Sequence, residues 1–295
     1  MTRDPKEILK KIRRIELRTR RLVNSMFAGQ YHSVFKGRGM NFEEVREYAP
    51  GDEIRSIDWN VTARMNAPYI KKYTEERELT VMLLVDVSAS GVFGSVELSK
   101  RELAAEVASI LAFSAINNND KVGLILFTDQ IELFIPPKKG RLHTLRLIRE
   151  MLYFEPEGRG TDLAGALDYL NLVLHRRSVV FMISDFLAPD FTKSLTVSSK
   201  RHDLVAMPVI DKGESELPNV GIITLEDAET GAQIDVNTSS KAVRRALREI
   251  NEGRLEDLEY LLRSRRVDIV RLSTSEDYLL PLRNFFELRE RRQAA

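Results

Sequence analysis

Two short runs constrain the fold of this chain more than anything else in its sequence: Leu79–Val85 (LTVMLLV) and Ser178–Ser184 (SVVFMIS). Each is apolar on both of its alternating faces and needs cover on two sides, the condition of a central strand in a sheet flanked by helices. Each also runs into an aspartate, Asp86 and Asp185. The surrounding pattern supplies the rest of such a sheet. Strands are expected over 80–86, 122–127, 131–135, 178–184, 203–209 and 267–272. Helices are expected over 97–116, 141–153, 162–175, 190–200, 239–264 and from 276. The strands at 122–127 and 131–135 are separated only by Thr128-Asp129-Gln130, which makes them an antiparallel hairpin. The expected class is α/β: a doubly wound, mostly parallel six-stranded sheet.

Four segments follow. Residues 1–28 hold a basic amphipathic helix over 5–23, with Ile8, Ile12, Ile15 and Leu22 on one stripe. Residues 29–78 form a small β-rich satellite full of turn signals, with the single tryptophan, Trp59, expected to anchor its core. Residues 79–275 are the sheet domain, and 276–295 a C-terminal helix. A hairpin over 222–236, turning at Glu229-Thr230-Gly231, is expected to pack with the satellite, since neither has strands long enough to stand alone. The helix over 239–264 is expected to bury Val243, Leu247, Ile250, Leu258 and Leu261.

Composition narrows the chemistry. The 295 residues carry a formal net charge of +1, so global charge favours no nucleic acid, membrane or acidic partner. Locally, residues 1–25 hold nine Lys/Arg against three Asp/Glu, and residues 42–58 hold six acids against two arginines. These segments could dock on each other or serve partners. The absence of cysteine excludes disulfides, thiolate metal sites and a thiol nucleophile. No apolar stretch approaches the ~18 residues of a membrane span, and the start lacks the apolar core of a signal peptide. A soluble cytoplasmic protein is expected.

The junction at residue 86 carries the chemistry. Asp86, Ser88 and Ser90 stand at every second position, and in an extended segment they present their oxygens to one side. In the strand order 3-2-1-4-5-6, the first and fourth strands are neighbours, roughly 4.8 Å apart, and the crevice at their carboxyl ends is where ligands bind. Asp86 and Asp185 close those two strands, and Thr161 precedes the helix that leads into the second. Hard oxygen donors gathered there suit Mg²⁺ or Mn²⁺. Each piece has a plainer reading: Thr161 as a helix N-cap, Asp185 as the cap of a turn before Pro189. Asp162 is explained by helix electrostatics alone.

Together, Asp86-x-Ser88-x-Ser90, Thr161 and Asp185 resemble the metal-ion-dependent adhesion site of von Willebrand factor A domains. The likeness extends over nearly the whole chain. Tyr48-Ala49-Pro50-Gly51-Asp52, Arg55, Ile57-Asp58-Trp59 and Ala63-Arg64 upstream, with Leu225-Glu226-Asp227-x-Glu229-Thr230-Gly231 downstream, resemble a bacterial family labelled a domain of unknown function. Its members join an A-like domain to flanking segments and are associated with MoxR-type AAA+ ATPases. In many A domains a bulky apolar residue follows the second serine; here it is Gly91. The resemblance implies a cation held by Asp86, Ser88, Ser90, Thr161 and Asp185, with an open position that a partner's Asp or Glu completes. It implies a metal-dependent adaptor or co-chaperone, not an enzyme.

Two other classes stay open. A metal-dependent hydrolase could use the same residues, but a dehalogenase-type phosphatase wants an acid where Ser88 stands. A serine hydrolase wants a glycine there and a histidine partner. Gly158-Arg159-Gly160-Thr161 lacks the lysine of a phosphate-binding loop. A nucleic-acid-binding role would rest on the basic N-terminal helix and Arg263, Arg265 and Arg266, without interleaved aromatics for stacking.

Overall fold

The computed structural model describes residue 17 and residues 41–65, 67–74, 78–94 and 98–294. Apart from Leu17, the expected basic helix over 5–23 lies outside them. The described residues from Asn41 to Leu79 fall in a small unit, and those from Thr80 onward in a large one.

In the small unit, β1 (Asn41–Glu47) pairs antiparallel with β2 (Tyr69–Thr74), and α1 (Trp59–Met65) lies between them in sequence. Its turns are built by aspartates. Asp52 accepts hydrogen bonds from the Arg46 guanidinium at 2.7 and 2.9 Å and from the Ala49 amide at 2.8 Å, closing the Pro50-Gly51 turn. Asp58 accepts from the Asn60 and Val61 amides and starts α1. Trp59, the first residue of that helix, is 68% exposed, which overturns its expected role as a core anchor. Ile70 is the buried apolar side chain among the described residues of this unit.

The large unit runs β3 (Thr80–Asp86), α2 (Lys100–Asn117), β4 (Lys121–Phe127), β5 (Ile131–Lys138), α3 (Arg141–Tyr153), α4 (Leu163–Val173), β6 (Val179–Ser184), α5 (Thr192–Arg201), β7 (Asp203–Ile210) and α6 (Lys212–Ser215). It continues with β8 (Ile222–Glu226), β9 (Gln233–Asn237), α7 (Lys241–Ser264), β10 (Asp268–Ile269), β11 (Leu272–Ser273) and α8 (Leu279–Ala294). The central sheet has the order β10-β7-β6-β3-β4-β5, with β11 also on β7; only β5 is antiparallel to its neighbour. This is the expected winding.

It has seven strands rather than six, because the expected edge strand 267–272 is interrupted. β10 and β11 keep one register on β7, Asp268 opposite Val205 and Leu272 opposite Val209. The carbonyls of Ala206 and Ile210 accept the amides of Val270 and Thr274, so even-numbered residues of β7 face this edge. Pro208 is one of them and has no N–H to donate, which opens the ladder there.

Burial follows the alternation of the strands. Met82 and Leu84 of β3, with Val180 and Met182 of β6, join Leu163, Leu167 and Leu170 of α4 and Leu195 of α5 in one core layer. Val81, Leu83 and Val85 point the other way and are equally buried, as a two-faced strand requires. The C-terminal helix belongs to the large unit, with Leu282 and Phe286 fully buried.

One expectation holds in part. In the stripe of α7, Leu258 and Leu261 are half-buried against the core and Leu247 is half-buried, whereas Val243 is 37% and Ile250 67% exposed; the fully buried residue of the helix is Leu262. The hairpin β8–β9 and the pair β1–β2 are each two-stranded sheets.

Candidate metal centre

β3 and β6 are hydrogen-bonded neighbours, so their last residues meet at the carboxyl edge of the sheet. The Ser184 hydroxyl donates to Asp86 Oδ2 at 2.6 Å, and the Ser88 amide donates to Asp86 Oδ1 at 2.9 Å. The Ser88 and Ser90 hydroxyl oxygens lie 3.0 Å apart. Extended alternation does not bring them together: the chain turns into a 3-10 helix at Ala89–Val92, and this turn carries Ser90 back toward Ser88. The Ser90 hydroxyl also reaches the Asp185 carboxylate.

Beyond Asp185 the chain bends sharply. Phe186 takes a left-handed backbone, φ 57°, which a bulky residue adopts only when its surroundings compel it. Its ring is buried, 6.2 Å from that of Phe191. The turn lets the Leu187 amide donate to Asp185 Oδ1 at 3.0 Å. Asp185 is therefore a turn cap as well as a member of the cluster.

Thr161 arrives on the loop between α3 and α4. Glu132 holds that loop, accepting the Gly158 amide at 2.7 Å, the Glu157 amide at 3.2 Å and the Thr128 hydroxyl at 2.7 Å. Gly158 packs so tightly that a Cβ there would stand 2.1 Å from Asp129 Oδ1 and 2.2 Å from Thr128 Oγ1. The Ala89 amide donates to the Arg159 carbonyl and ties the loop to the Asp86–Ser90 segment. The cap of α4 is Asp162, which accepts the Gly165 amide at 2.9 Å. Thr161 is thus spared from capping, and its hydroxyl donates to Glu229 Oε1 at 2.8 Å. Asp86, Ser88, Ser90 and Asp185 are joined directly, whereas Thr161 joins them through the loop and through Glu229.

The cluster is more recessed than an open rim: Ser88, Thr161 and Asp185 are each less than a tenth exposed. Lys100, at the start of α2 and itself buried, pairs with Asp185 at 3.0 Å and also with Glu214 of α6. Burial pushes the Asp86 carboxyl up to about 6, and the neighbouring charge of Asp185 adds to the rise. Burial would raise Asp185 too, but the Lys100 ammonium, the Leu187 amide and the Ser90 hydroxyl hold it below the usual carboxylate range. Glu229 is raised by burial and by the charges of Asp185, Asp227 and Asp129, against its bond from Thr161.

This donor set suits a small hard cation on its own geometry. Oxygens on adjacent corners of an octahedron around Mg²⁺, with bonds of about 2.0–2.1 Å, stand roughly 2.9 Å apart. The two serine oxygens are 3.0 Å apart. A cavity of ≈ 20 Å³ lies among Asp86, Ser90, Lys100, Ser184 and Asp185, room for about one water-sized body. No group of three or more His, Cys, Asp or Glu gathers for a metal among the described residues, so a cation here would depend on the hydroxyls. Lys100 already neutralises part of Asp185, which leaves Asp86 as the carboxylate most in need of a positive neighbour.

Four residues of this centre were missed by sequence reasoning: Lys100, Ser184, Glu214 and Glu132. For Lys100 the signal was present. It stands at i, i+3, i+4 and i+7 with Leu103, Ala104 and Val107, a lysine on the buried stripe of α2. Ser184 is only the polar end of an apolar strand. The pairing of Glu214 with Lys100 and the bonds of Glu132 to the Glu157 and Gly158 amides are long-range and leave no local trace.

An open parallel sheet wound in this order, with an Asp-x-Ser-x-Ser turn, a threonine loop and a second aspartate at its carboxyl edge, is a von Willebrand factor A-like fold. The chain belongs to the family described as protein of unknown function DUF58, matched over residues 44–254. It is 31% identical over 291 residues to the uncharacterized protein Mb1516 of Mycobacterium bovis, spanning 98% of this chain and 91% of that one. The same figures hold for the uncharacterized protein Rv1480 of Mycobacterium tuberculosis. Among solved structures it is similar to the hypothetical protein BatB of Bacteroides thetaiotaomicron (TM-score 0.46, 15% identity, 72% of this chain and 99% of that one). It is also similar to the SpRpn10 VWA domain (TM-score 0.41, 12% identity, 71% and 95%).

Proposed function

We propose that this chain is a metal-dependent protein-binding adaptor, working as a co-chaperone with a MoxR-type AAA+ ATPase. One observation carries the reading: two carboxylates and the paired hydroxyls of Ser88 and Ser90 converge at the switch point of the sheet. A Mg²⁺ or Mn²⁺ ion held by Asp86, Ser88, Ser90, Thr161 and Asp185 would keep an exchangeable position, which an acidic residue of the partner would fill. The resemblance of the segments around Trp59 and Glu229 to the family supports the choice of partner.

The hydrolase alternative gains nothing from His143 or His202. His143 Nε2 is bonded to the Val122 carbonyl at 2.8 Å, and His202 is buried with neither ring nitrogen partnered among the described residues. No helix among the described residues is long and apolar enough to cross a membrane. The test is capture of the ATPase by the purified chain in Mg²⁺ and in chelator. Complex formation should collapse in chelator and in Asp86→Ala, and calorimetry should show Mn²⁺ binding lost in that variant. Equal capture in both conditions would end the proposal.

A further inference from the structure

A groove of ≈ 700 Å³ at the β10 edge of the sheet has no role in the reading above. β10 ends the sheet order, and among the described residues no strand pairs on its outer side. Even-numbered residues over 268–274 turn their backbone groups toward β7, as the bonds of the Val270 and Thr274 amides show. The amides and carbonyls of Ile269 and Arg271 between them therefore point outward. The groove is lined by this whole run, from Val267 to Arg271. Such a row of backbone donors and acceptors is a template for one more extended chain.

The far wall of the groove is α8. That helix buries Leu282 and Phe286 fully, while Pro281, Phe285, Leu288 and Arg292, three or four residues apart, line the groove instead. Leu288 is 54% exposed there. The charges of the lining are five arginines against Asp268 and Glu276. Asp268 already holds Arg289 and Arg292, and Arg263 and Arg271 share Glu259. Arg266 pairs with no acid among the described residues. It also takes a left-handed backbone, φ 58°. Its amide donates to the Arg263 carbonyl and the Val267 amide to the Leu262 carbonyl, each at 3.0 Å, which closes the end of α7. Glycine is the favoured residue at that position, so an exposed arginine there is held at a cost in stability.

We propose that this edge is a second docking site, which takes an acidic, extended segment of a partner protein as an added strand. Ile269 and Arg271 pair with the backbone of that segment, Phe285 and Leu288 meet its apolar side chains, and Arg266 meets its carboxylates. The chain's own residues 1–25 are basic, with nine Lys/Arg against three Asp/Glu, and the arginines would repel them. A second copy pairing edge to edge would set the same arginines against one another. The site is independent of the metal reading. β10 lies along the first half of β7, whereas Asp86 and Asp185 stand at the carboxyl ends of β3 and β6.

The test uses the full chain and a fluorescein-labelled ten-residue peptide alternating Glu with Val, read by anisotropy. Its controls are the same peptide N-methylated throughout its backbone, and a single-stranded oligothymidine, a polyanion with no peptide edge. Wild type should bind the acidic peptide equally in Mg²⁺ and in chelator. It should bind the N-methylated peptide about tenfold more weakly, as loss of one or two hydrogen bonds costs. Arg266→Gly removes the charge and suits the backbone, so it should raise the urea midpoint yet bind the peptide about threefold more weakly. A merely structural arginine would not give that split. Equal binding of the two peptides, or of wild type and Arg266→Gly, would overturn the proposal, as would a wild type that binds no peptide. Loss of binding in chelator would move the peptide to the metal centre. Displacement of the peptide by a lower concentration of oligothymidine would assign the arginines to nucleic acid, and either result equally overturns the site.

Discussion

Asp86 is pulled in two directions at the level of a single side chain. It accepts bonds from Ser184 and Ser88 that favour its charge, yet burial and Asp185 hold its carboxyl up at about 6. A carboxyl raised above its unfolded value of 3.8 adds stability that is complete below pH 3.8 and lost as pH rises through 6. In chelator, wild type should therefore lose about 3 kcal/mol relative to Asp86→Asn between pH 4 and pH 8. Urea unfolding of both proteins across that range checks it, and parallel curves would refute it. Divalent cation should restore wild-type stability above pH 6 and leave Asp86→Asn unmoved. His202 has the opposite sign. Burial, helped by Arg201 and Arg177, depresses it from 6.5 to about 4, so its contribution is complete above pH 6.5 and lost as pH falls through 4. His202→Leu should remove a loss of about 3 kcal/mol from that window, visible as a flatter acid limb in the same titrations.

At the level of elements, the loop between α3 and α4 and the helix α7 behave differently. The loop is locked by Glu132 and by the close approach of Gly158 to the Thr128–Asp129 turn. Gly158→Ala has no room for its methyl group, so the loop must shift and carry Thr161 with it. We expect a cost of about 1–3 kcal/mol from overpacking together with weaker Mn²⁺ binding, measured by denaturation and calorimetry on one preparation. A variant that binds the ion normally would show that Thr161 is dispensable. In α7 the apolar stripe meets the core at its C-terminal end, through Leu258, Leu261 and Leu262, and is exposed at Val243 and Ile250. Leu262→Ala should cost about 2–5 kcal/mol, whereas Ile250→Asp should stay within about 0.5 kcal/mol, both read as shifts in urea midpoint.

Across the whole molecule, the order of the sheet could be read from residues 80 to 273 because its information is local and periodic. Runs apolar on both faces mark β3 and β6, the short turn at Thr128–Gln130 marks the antiparallel β4–β5 pair, and helices alternate between them. The candidate centre was legible for the same reason, since strand order alone brings the adjacent ends of β3 and β6, and with them Asp86 and Asp185, to one edge of the sheet. What the sequence could not decide depends on distant partners. A tryptophan beside a helix cap looks like a core anchor, yet its burial depends on what surrounds it, and Trp59 is exposed. Pro208 breaks the edge ladder only because its side of β7 faces that edge. Lys100 meets Asp185 across 85 residues, and Thr161 meets Glu229 across 68. Periodicity specifies which face of an element is buried; only the assembled fold specifies which charges that burial brings together. By itself, then, the sequence determined the winding and the principal carboxylates and hydroxyls. The tertiary structure decided their electrostatics, because charge interactions depend on separation and solvent exclusion rather than on order along the chain.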